Sequence, residues 1–280
     1  MIISEWLKHA RNRLAQTNCP DPDIDARWIA EDVLCLTRQE LVFEGDRAIP
    51  RHQLYRLEAM LDRRAAGEPV QYILGNADFM GLRFRVDGAV LIPRQDTETL
   101  VEATLIELRQ RPGRPALLDL CAGSGCVGLS LASLAPNARI ALADASHEAL
   151  EIARANQKNL GVKVELRQGD LFNAVGRERF DIIASNPPYI PTGELSGLQQ
   201  ELRFEPRIAL DGGADGLDFY RRIAEGAVDH LNPGGAIFLE VGIHQAQPVL
   251  ELVKARLPCA QAGTVKDLNG VERVVFGKME

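Results

Sequence analysis

Five short apolar runs, at residues 116–120, 139–143, 162–167, 180–184 and 236–241, alternate with helical patterns, and the last of them is followed by a hairpin signal. Runs that are apolar on both faces need cover on both faces. The intervening helical stretches supply it, most clearly at Tyr220, Ile223, Ala224, Ala227, Val228 and Leu231. Strands that alternate with helices in this way build a parallel sheet wrapped on two sides. The closing stretch "VKDLNGVERVVFG" carries Asn269-Gly270 between two strand-like runs, the composition of a type I′ turn. The predicted class is therefore α/β, with a mostly parallel sheet that ends in an antiparallel hairpin.

The 280 residues are more than one small domain needs. Residues 1–75 read as a small helical bundle. Its apolar stripes are Leu7, Ala10 and Leu14, then Ala26, Ile29, Ala30, Val33 and Leu34, then Leu54, Leu57 and Leu61. Ser4 and Asp23 are its expected N-caps. No residue pairing in it suggests chemistry, so its expected role is to dock a partner or to pack as a lid. Residues 76–93 read as a β-hairpin linker, with Gly81 and Gly88 at turns, and 94–280 as the catalytic domain.

Composition removes several function classes. No apolar stretch of membrane-spanning length occurs and the first residues lack a signal-peptide pattern, so a cytoplasmic protein is expected. Five cysteines without a C-x-x-C pair read as small buried thiols, and five scattered histidines give no metal-ligand spacing, so no protein-held metal is expected. A net charge of −7 argues against broad contact with phosphate backbones.

"LLDLCAGSGCVGLSLA" places Gly123, Gly125 and Gly128 between a strand and a helix. Such glycines let the backbone approach a ligand, and the helix start offers free N–H groups. Asp144, nineteen residues past Gly125, ends the next strand, where a carboxylate can accept from both hydroxyls of a ribose. Together these point to a nucleoside-type ligand, and NAD or S-adenosylmethionine would both fit. Asp170, just beyond the third strand, could receive an exocyclic amine of adenine, with Leu171 packed on the ring. The alternative for Asp170 is a simple turn cap. Asp119, inside the first strand, should hold loop N–H groups or face the cationic end of a ligand, since a buried charge needs partners.

The fourth strand runs into "FDIIASNPPYI", where two prolines forbid any continuation of the ladder. Asn186 lies at the carboxyl end, where open α/β sheets bind ligands. A planar NH₂, as in an amide or an aminopurine, carries two N–H donors and needs two acceptors. The Asn186 side-chain oxygen and the Pro187 carbonyl can supply them, with Pro188 adding rigidity and Tyr189 offering a flat wall.

With these segments assembled, and with "PVQYILGNADFMGLRFRVDGAVLIPRQDTETLVE", "RFEPRIALDGGADGLDFYRRI" and "KDLNGVERVVFG", the chain resembles the HemK-type protein-(glutamine-N5) methyltransferases from about Pro69 to Gly277. The match is to the branch that acts on peptide chain release factors. The helical N-terminal part matches in architecture and length. The resemblance implies a Rossmann-like S-adenosylmethionine-dependent methyltransferase fold with a seven-stranded sheet. It implies methyl transfer to the amide of the glutamine in a Gly-Gly-Gln loop of bacterial release factors. By position, Asp119 and the loop Cys121, Ala122, Gly123, Ser124 and Gly125 would hold S-adenosylmethionine, with Asp144, Asp170, Leu171 and Asn186. Asn186, Pro187, Pro188 and Tyr189 would receive the glutamine, with Arg94 steering its backbone or standing as an exposed arginine before an Asp96-capped helix. The partner would be a release factor met by a monomer, with neither nucleic acid nor membrane involved. Two departures stand out: one proline of the usual "PRP-x-TE" is lost at Gln95, and Cys121-Ala122 replace a common glycine and threonine. The same tetrapeptide would serve adenine-N6 methylation, and a sister enzyme methylates a ribosomal-protein glutamine. The acidic chain, with 5% aromatic residues and no evident basic recognition module, disfavours the former.

Overall fold

The computed structural model describes residues 1–280, which divide into two compact units. The first comprises Met1–Asn76 together with Leu198–Phe204. Its helices are α1 (Ile3–Leu14), α2 (Pro22–Leu34), α3 (Arg38–Phe43), α4 (Arg51–Ala65) and α5 (Val70–Leu74). The apolar stripes face inward around a fully buried Trp6, whose indole N–H donates to Glu58 at 2.8 Å. Ser4 lies inside α1, which starts after Ile2, and Asp23 lies in the first turn of α2 behind Asp21 and Pro22. Both predicted caps are thus displaced, because a small polar residue near a helix start favours the first turn as well as the cap. Helices α3 and α5 were not foreseen, since five or six residues are too few to show a stripe. Arg64 is buried here. Its guanidinium donates to Asp25 at 2.5 Å and to the Glu68 carbonyl at 3.1 Å, and it pairs with Glu201. Those partners offset the cost of its burial.

The second unit, Ala77–Gly197 and Glu205–Glu280, carries the sheet. It opens with the hairpin β1 (Asn76–Phe79) and β2 (Leu82–Arg85), whose turn residues Met80 and Gly81 have φ of 51° and 71°. The strands stop at Arg85 rather than reaching Pro93. Val86, Val90 and Ile92 are buried without being in a ladder, so their apolar pattern reflected burial alone. There follow α6 (Glu98–Gln110), β3 (Ala116–Leu120), α7 (Cys126–Leu134), β4 (Arg139–Asp144), α8 (His147–Leu160), β5 (Glu165–Gln168) and β6 (Phe180–Ser185). Then come α9 (Asp218–His230), β7 (Leu231–Glu240), α10 (Ala246–Arg256), β8 (Cys259–Lys266) and β9 (Glu272–Met279). The sheet order is β5-β4-β3-β6-β7-β9-β8, with β9 antiparallel to both its neighbours. β5 begins three residues later than its apolar run. Val162 and Val164 pack on the core outside the ladder, and the Val164 carbonyl accepts from Gln157 at 2.9 Å instead.

Side-chain alternation assigns the two faces. Leu118 and Leu120 of β3 join Tyr220, Ile223 and Val249 on the α9/α10 side, while Leu117 joins Leu100, Val101 and Leu129 on the α6/α7 side. Asp119 therefore also points toward α7, and by the same period Glu240 of β7 shares the face of Phe238, toward α6. Of the five free cysteines, Cys35 is exposed and the others are half-buried.

One buried side chain ties the hairpin to the sheet. Asn156 of α8 accepts from the Arg85 N–H at 2.6 Å and donates to the carbonyls of Arg85 (3.0 Å) and Ser124 (2.9 Å). Replacing it with alanine leaves those backbone groups unpaired, the Ser124 carbonyl among them in a buried site. Asn156→Ala should therefore lower unfolding stability by about 2–4 kcal/mol, read by urea titration.

Candidate active site

The strand order reverses between β3 and β6, which opens a crevice beyond their carboxyl ends. A cavity of about 330 Å³ lies there. The chain leaves β3 through Cys121 (φ 59°), Gly123 (φ 55°) and Gly125 (φ 79°) before entering α7. Cys121 thus adopts the left-handed backbone that glycine takes freely, a conformation costing a side-chain-bearing residue about 1–2 kcal/mol. A glycine at that position would avoid the cost. Leu171 is held in the same region (φ 49°) and forms part of the cavity wall.

Asp119 accepts the N–H of Gly128 at 2.8 Å. Gly125 has no side chain to cap α7, so this carboxylate from the strand beneath satisfies a free N–H of the first turn instead. A Cβ on Gly128 would come within 2.9 Å of the Asp119 oxygen and 2.6 Å of Leu142, so only glycine allows the approach. Asp144 accepts from Gly123 N–H through Oδ2 and from Ser146 N–H through Oδ1, both at 2.8 Å. Each oxygen keeps a further lone pair, and Asp144 lines the cavity. Burial raises its pKa against the pull of those N–H groups. Asp170 also lines the cavity and forms an ion pair with Arg222 at 2.5 Å. The Arg222 guanidinium lies over the Phe219 ring, another wall residue. Burial lifts the Cys126 thiol to about 12 and that of Cys121 likewise upward, so both remain neutral thiols.

Asn186 and Pro188 line the cavity, whereas Pro187 and Tyr189 do not. The Asn186 amide N–H donates to Thr97 Oγ1 at 3.1 Å. The Tyr189 ring packs back on the α9/α10 side of the core. Its backbone is seated closely: a Cβ on Gly212 would lie 2.7 Å from Tyr189 Cα, and one on Gly242 would lie 3.0 Å from its ring. Gln245 completes the seat, donating to the Tyr189 carbonyl at 2.9 Å and accepting from Gly242 N–H at 3.1 Å. Arg94 borders the cavity and is not a free surface cation, because it pairs with the buried Glu205. Asp96 pairs with Arg273 at 2.8 Å and does not cap α6.

Thr97, Phe219, Glu240 and Gln245 were not singled out from the sequence. For Glu240 a signal existed, a carboxylate inside the apolar run "AIFLEVG". Burial pushes its pKa up to about 7.

The donor set suits a nucleoside-bearing cation. The buried Asp119 and the half-buried Asp144 face the cavity, the latter with two free lone pairs for a diol, and the loop leaves room for close backbone approach. Fold and site define an S-adenosylmethionine-dependent methyltransferase of the α/β class. Residues 5–75 match the PrmC N-terminal domain family, and residues 97–202 the methyltransferase small domain family. The chain is 42% identical to a release factor glutamine methyltransferase of Geobacter sulfurreducens, over 99% of this chain and 96% of that protein. It is 42% identical to the one from Moorella thermoacetica, over 91% of this chain and 90% of that protein. A T. thermophilus 16S rRNA methyltransferase, solved with AdoMet and guanosine, shares the fold with a TM-score of 0.52 at 20% identity, covering 73% of this chain and 50% of that one. The chain belongs to the release factor glutamine methyltransferase family.

Asp119 gives the site a pH signature. Burial, with Asp144 adding to it and the Gly128 N–H opposing, lifts its carboxyl from 3.8 to about 7. The folded chain then binds a proton that the unfolded chain has released. Its contribution to stability is present on the acid side and lost as pH rises through about 7. Asp119→Asn, which can still accept from Gly128, should flatten the fall in melting temperature between about pH 4 and 7. Parallel curves for the two proteins would refute this.

Proposed function

We propose that the chain transfers a methyl group from S-adenosylmethionine to the side-chain amide nitrogen (N5) of the glutamine in the Gly-Gly-Gln loop of bacterial peptide chain release factors. The observation that carries this is the orientation of Asn186. Its N–H is tied back to Thr97, so the amide oxygen is left for a donor in the cavity. An amide nitrogen is a poor nucleophile because its lone pair is delocalised. Two acceptors, the Asn186 oxygen on the cavity wall and the rigid carbonyl of Pro187, which lies between the wall residues Asn186 and Pro188, would pull on its two N–H bonds and gather electron density on nitrogen. When bound, S-adenosylmethionine supplies the methyl: a C–N bond forms, the C–S bond breaks with its pair going to sulfur, and nitrogen sheds one proton.

The chain's residues divide that work. Asp144 would take the ribose hydroxyls, and the loop from Cys121 through Ala122, Gly123 and Ser124 to Gly125 would hold the rest of the cofactor. Asp119 sits beneath it as a buried carboxylate. Asp170 and Leu171 would receive the adenine, with the Arg222–Asp170 pair and Phe219 beside them. Pro188 stiffens the grip, Tyr189 anchors it from behind, and Arg94, bound to Glu205, offers its remaining donors to the substrate backbone. The helical unit docks the release factor. No helix is long and apolar enough to cross a membrane, and the reading takes the enzyme to be a cytoplasmic monomer that acts without nucleic acid.

Purified protein should transfer labelled methyl from S-adenosylmethionine to a bacterial release factor, and the label should vanish when the loop glutamine is replaced. Label that persisted on that variant, or that went to naked DNA, would overturn the assignment. Asn186→Ala should keep cofactor binding while turnover falls by about two orders of magnitude or more.

A further inference from the structure

Behind Asn186 lies a buried acid with no role in the reaction described so far. Glu240 ends β7 on the α6 side and is 2% exposed, and its Oε2 meets no hydrogen-bond partner. The Thr97 and Asn186 side chains both lie against its carboxyl and lower its pKa, and the Tyr220 hydroxyl fixes the backbone there by donating to the Glu240 carbonyl at 2.8 Å. Thr97 Oγ1 accepts from Asn186 Nδ2 at 3.1 Å. A hydroxyl has a single proton, so Thr97 must send it elsewhere, and Glu240 is the acceptor at hand.

We propose that Glu240 is a positioning residue that sets the polarity of the chain Asn186–Thr97–Glu240, so that only with Glu240 ionised does Asn186 turn its amide oxygen to the substrate nitrogen. The inference rests on the reading of Asn186 as the amide grip. An ionised carboxylate only accepts, so Thr97 must donate to it, and Thr97 can then only accept from Asn186. That leaves Nδ2 toward Thr97 and Oδ1 toward the cavity. A protonated carboxyl can donate, and the chain can then run in the opposite direction, from Glu240 through Thr97 to the Asn186 oxygen. The Asn186 NH₂ would then face the substrate NH₂, donor against donor, and the grip would be lost.

The surroundings bring this switch into the working range. Burial raises the Glu240 carboxyl to about 7, and Asp96 raises it further while Arg273, Thr97 and Asn186 lower it. Arg273 is itself shared with Asp96 at 2.8 Å and Asp267 at 3.2 Å. The Tyr189 and Tyr220 phenols and the Cys126 thiol also feel this carboxylate, and all three are held protonated. Glu240 is thus the group behind Asn186 whose charge changes near neutrality; Asp119, which also does so, lies under the cofactor loop on β3.

The test is turnover at saturating substrates against pH, with S-adenosylmethionine affinity and melting temperature followed in parallel. The wild type should lose turnover on the acid side with a midpoint near 7. Glu240→Gln, which can both donate and accept, should lose that acid limb and turn over about 10–100-fold more slowly above it, with cofactor affinity held within about threefold. Thr97→Ser should keep both rate and limb, and Thr97→Val should lose at least about tenfold. These threonine variants and the wild-type profile decide the matter even if Glu240→Gln does not fold. An acid limb that survives in Glu240→Gln, or wild-type turnover in Thr97→Val, would overturn the proposal. Asn186→Ala separates the two levels. If it is inactive while Glu240→Gln behaves like wild type, only the polarity fails. If it turns over normally, the grip itself is misplaced.

Discussion

The carboxylate of Asp119 beneath the first turn of α7 is the contact on which the site is built. A helix that begins at a glycine cannot cap itself, and a loop that must approach a ligand cannot carry bulk. The strand below resolves both needs by sending up an acceptor for Gly128 N–H. With α7 held in this way, Cys121, Gly123 and Gly125 can take left-handed backbone angles in succession, and Asp144 is drawn in to bind Gly123. Remove the acceptor and the helix end, the loop and the second carboxylate lose their common reference.

This arrangement costs stability. Asp119 and Glu240 are both buried acids whose pKa values reach about 7, and Cys121 and Leu171 hold unfavourable backbone angles. Such features concentrate where chemistry requires fixed dipoles, and the apolar packing of the sheet offsets them. Both acids face the α6/α7 side of the sheet at its carboxyl edge, one under the cofactor loop and the other behind Asn186. The period of two along β3 and β7 is what brings them to that edge.

The same period explains what was legible in the sequence. Strands buried on both faces, such as β3 and β6, are legible almost to the residue because their short apolar runs are bounded by glycine or proline and are too short for a helix. β5 is an edge strand, and its apolar run marked burial at Val162 and Val164 instead of ladder bonds, so its start was misplaced. The glycine loop, Asp144 and the tetrapeptide could be found because each is an oddity within its own segment. Thr97 and Gln245 could not. Each is an ordinary polar residue, and its importance comes from a partner about ninety or fifty-six positions away in the chain. Tyr189 shows a different effect. Its ring is expected to form a wall of the cavity, and in the fold the half-buried ring packs against the α9/α10 side of the core, seated by Gly212, Gly242 and Gln245.

That seat bears on how transferable the tetrapeptide is. Gly212 and Gly242 leave Tyr189 the space it occupies, and Gln245 ties its carbonyl down. These residues come from two separate stretches of chain, neither adjacent to Asn186. Moving the four residues onto another parallel sheet would carry the letters without the mould. A lineage that kept the tetrapeptide while changing its substrate would have to conserve these remote glycines as strictly as the residues that touch the substrate.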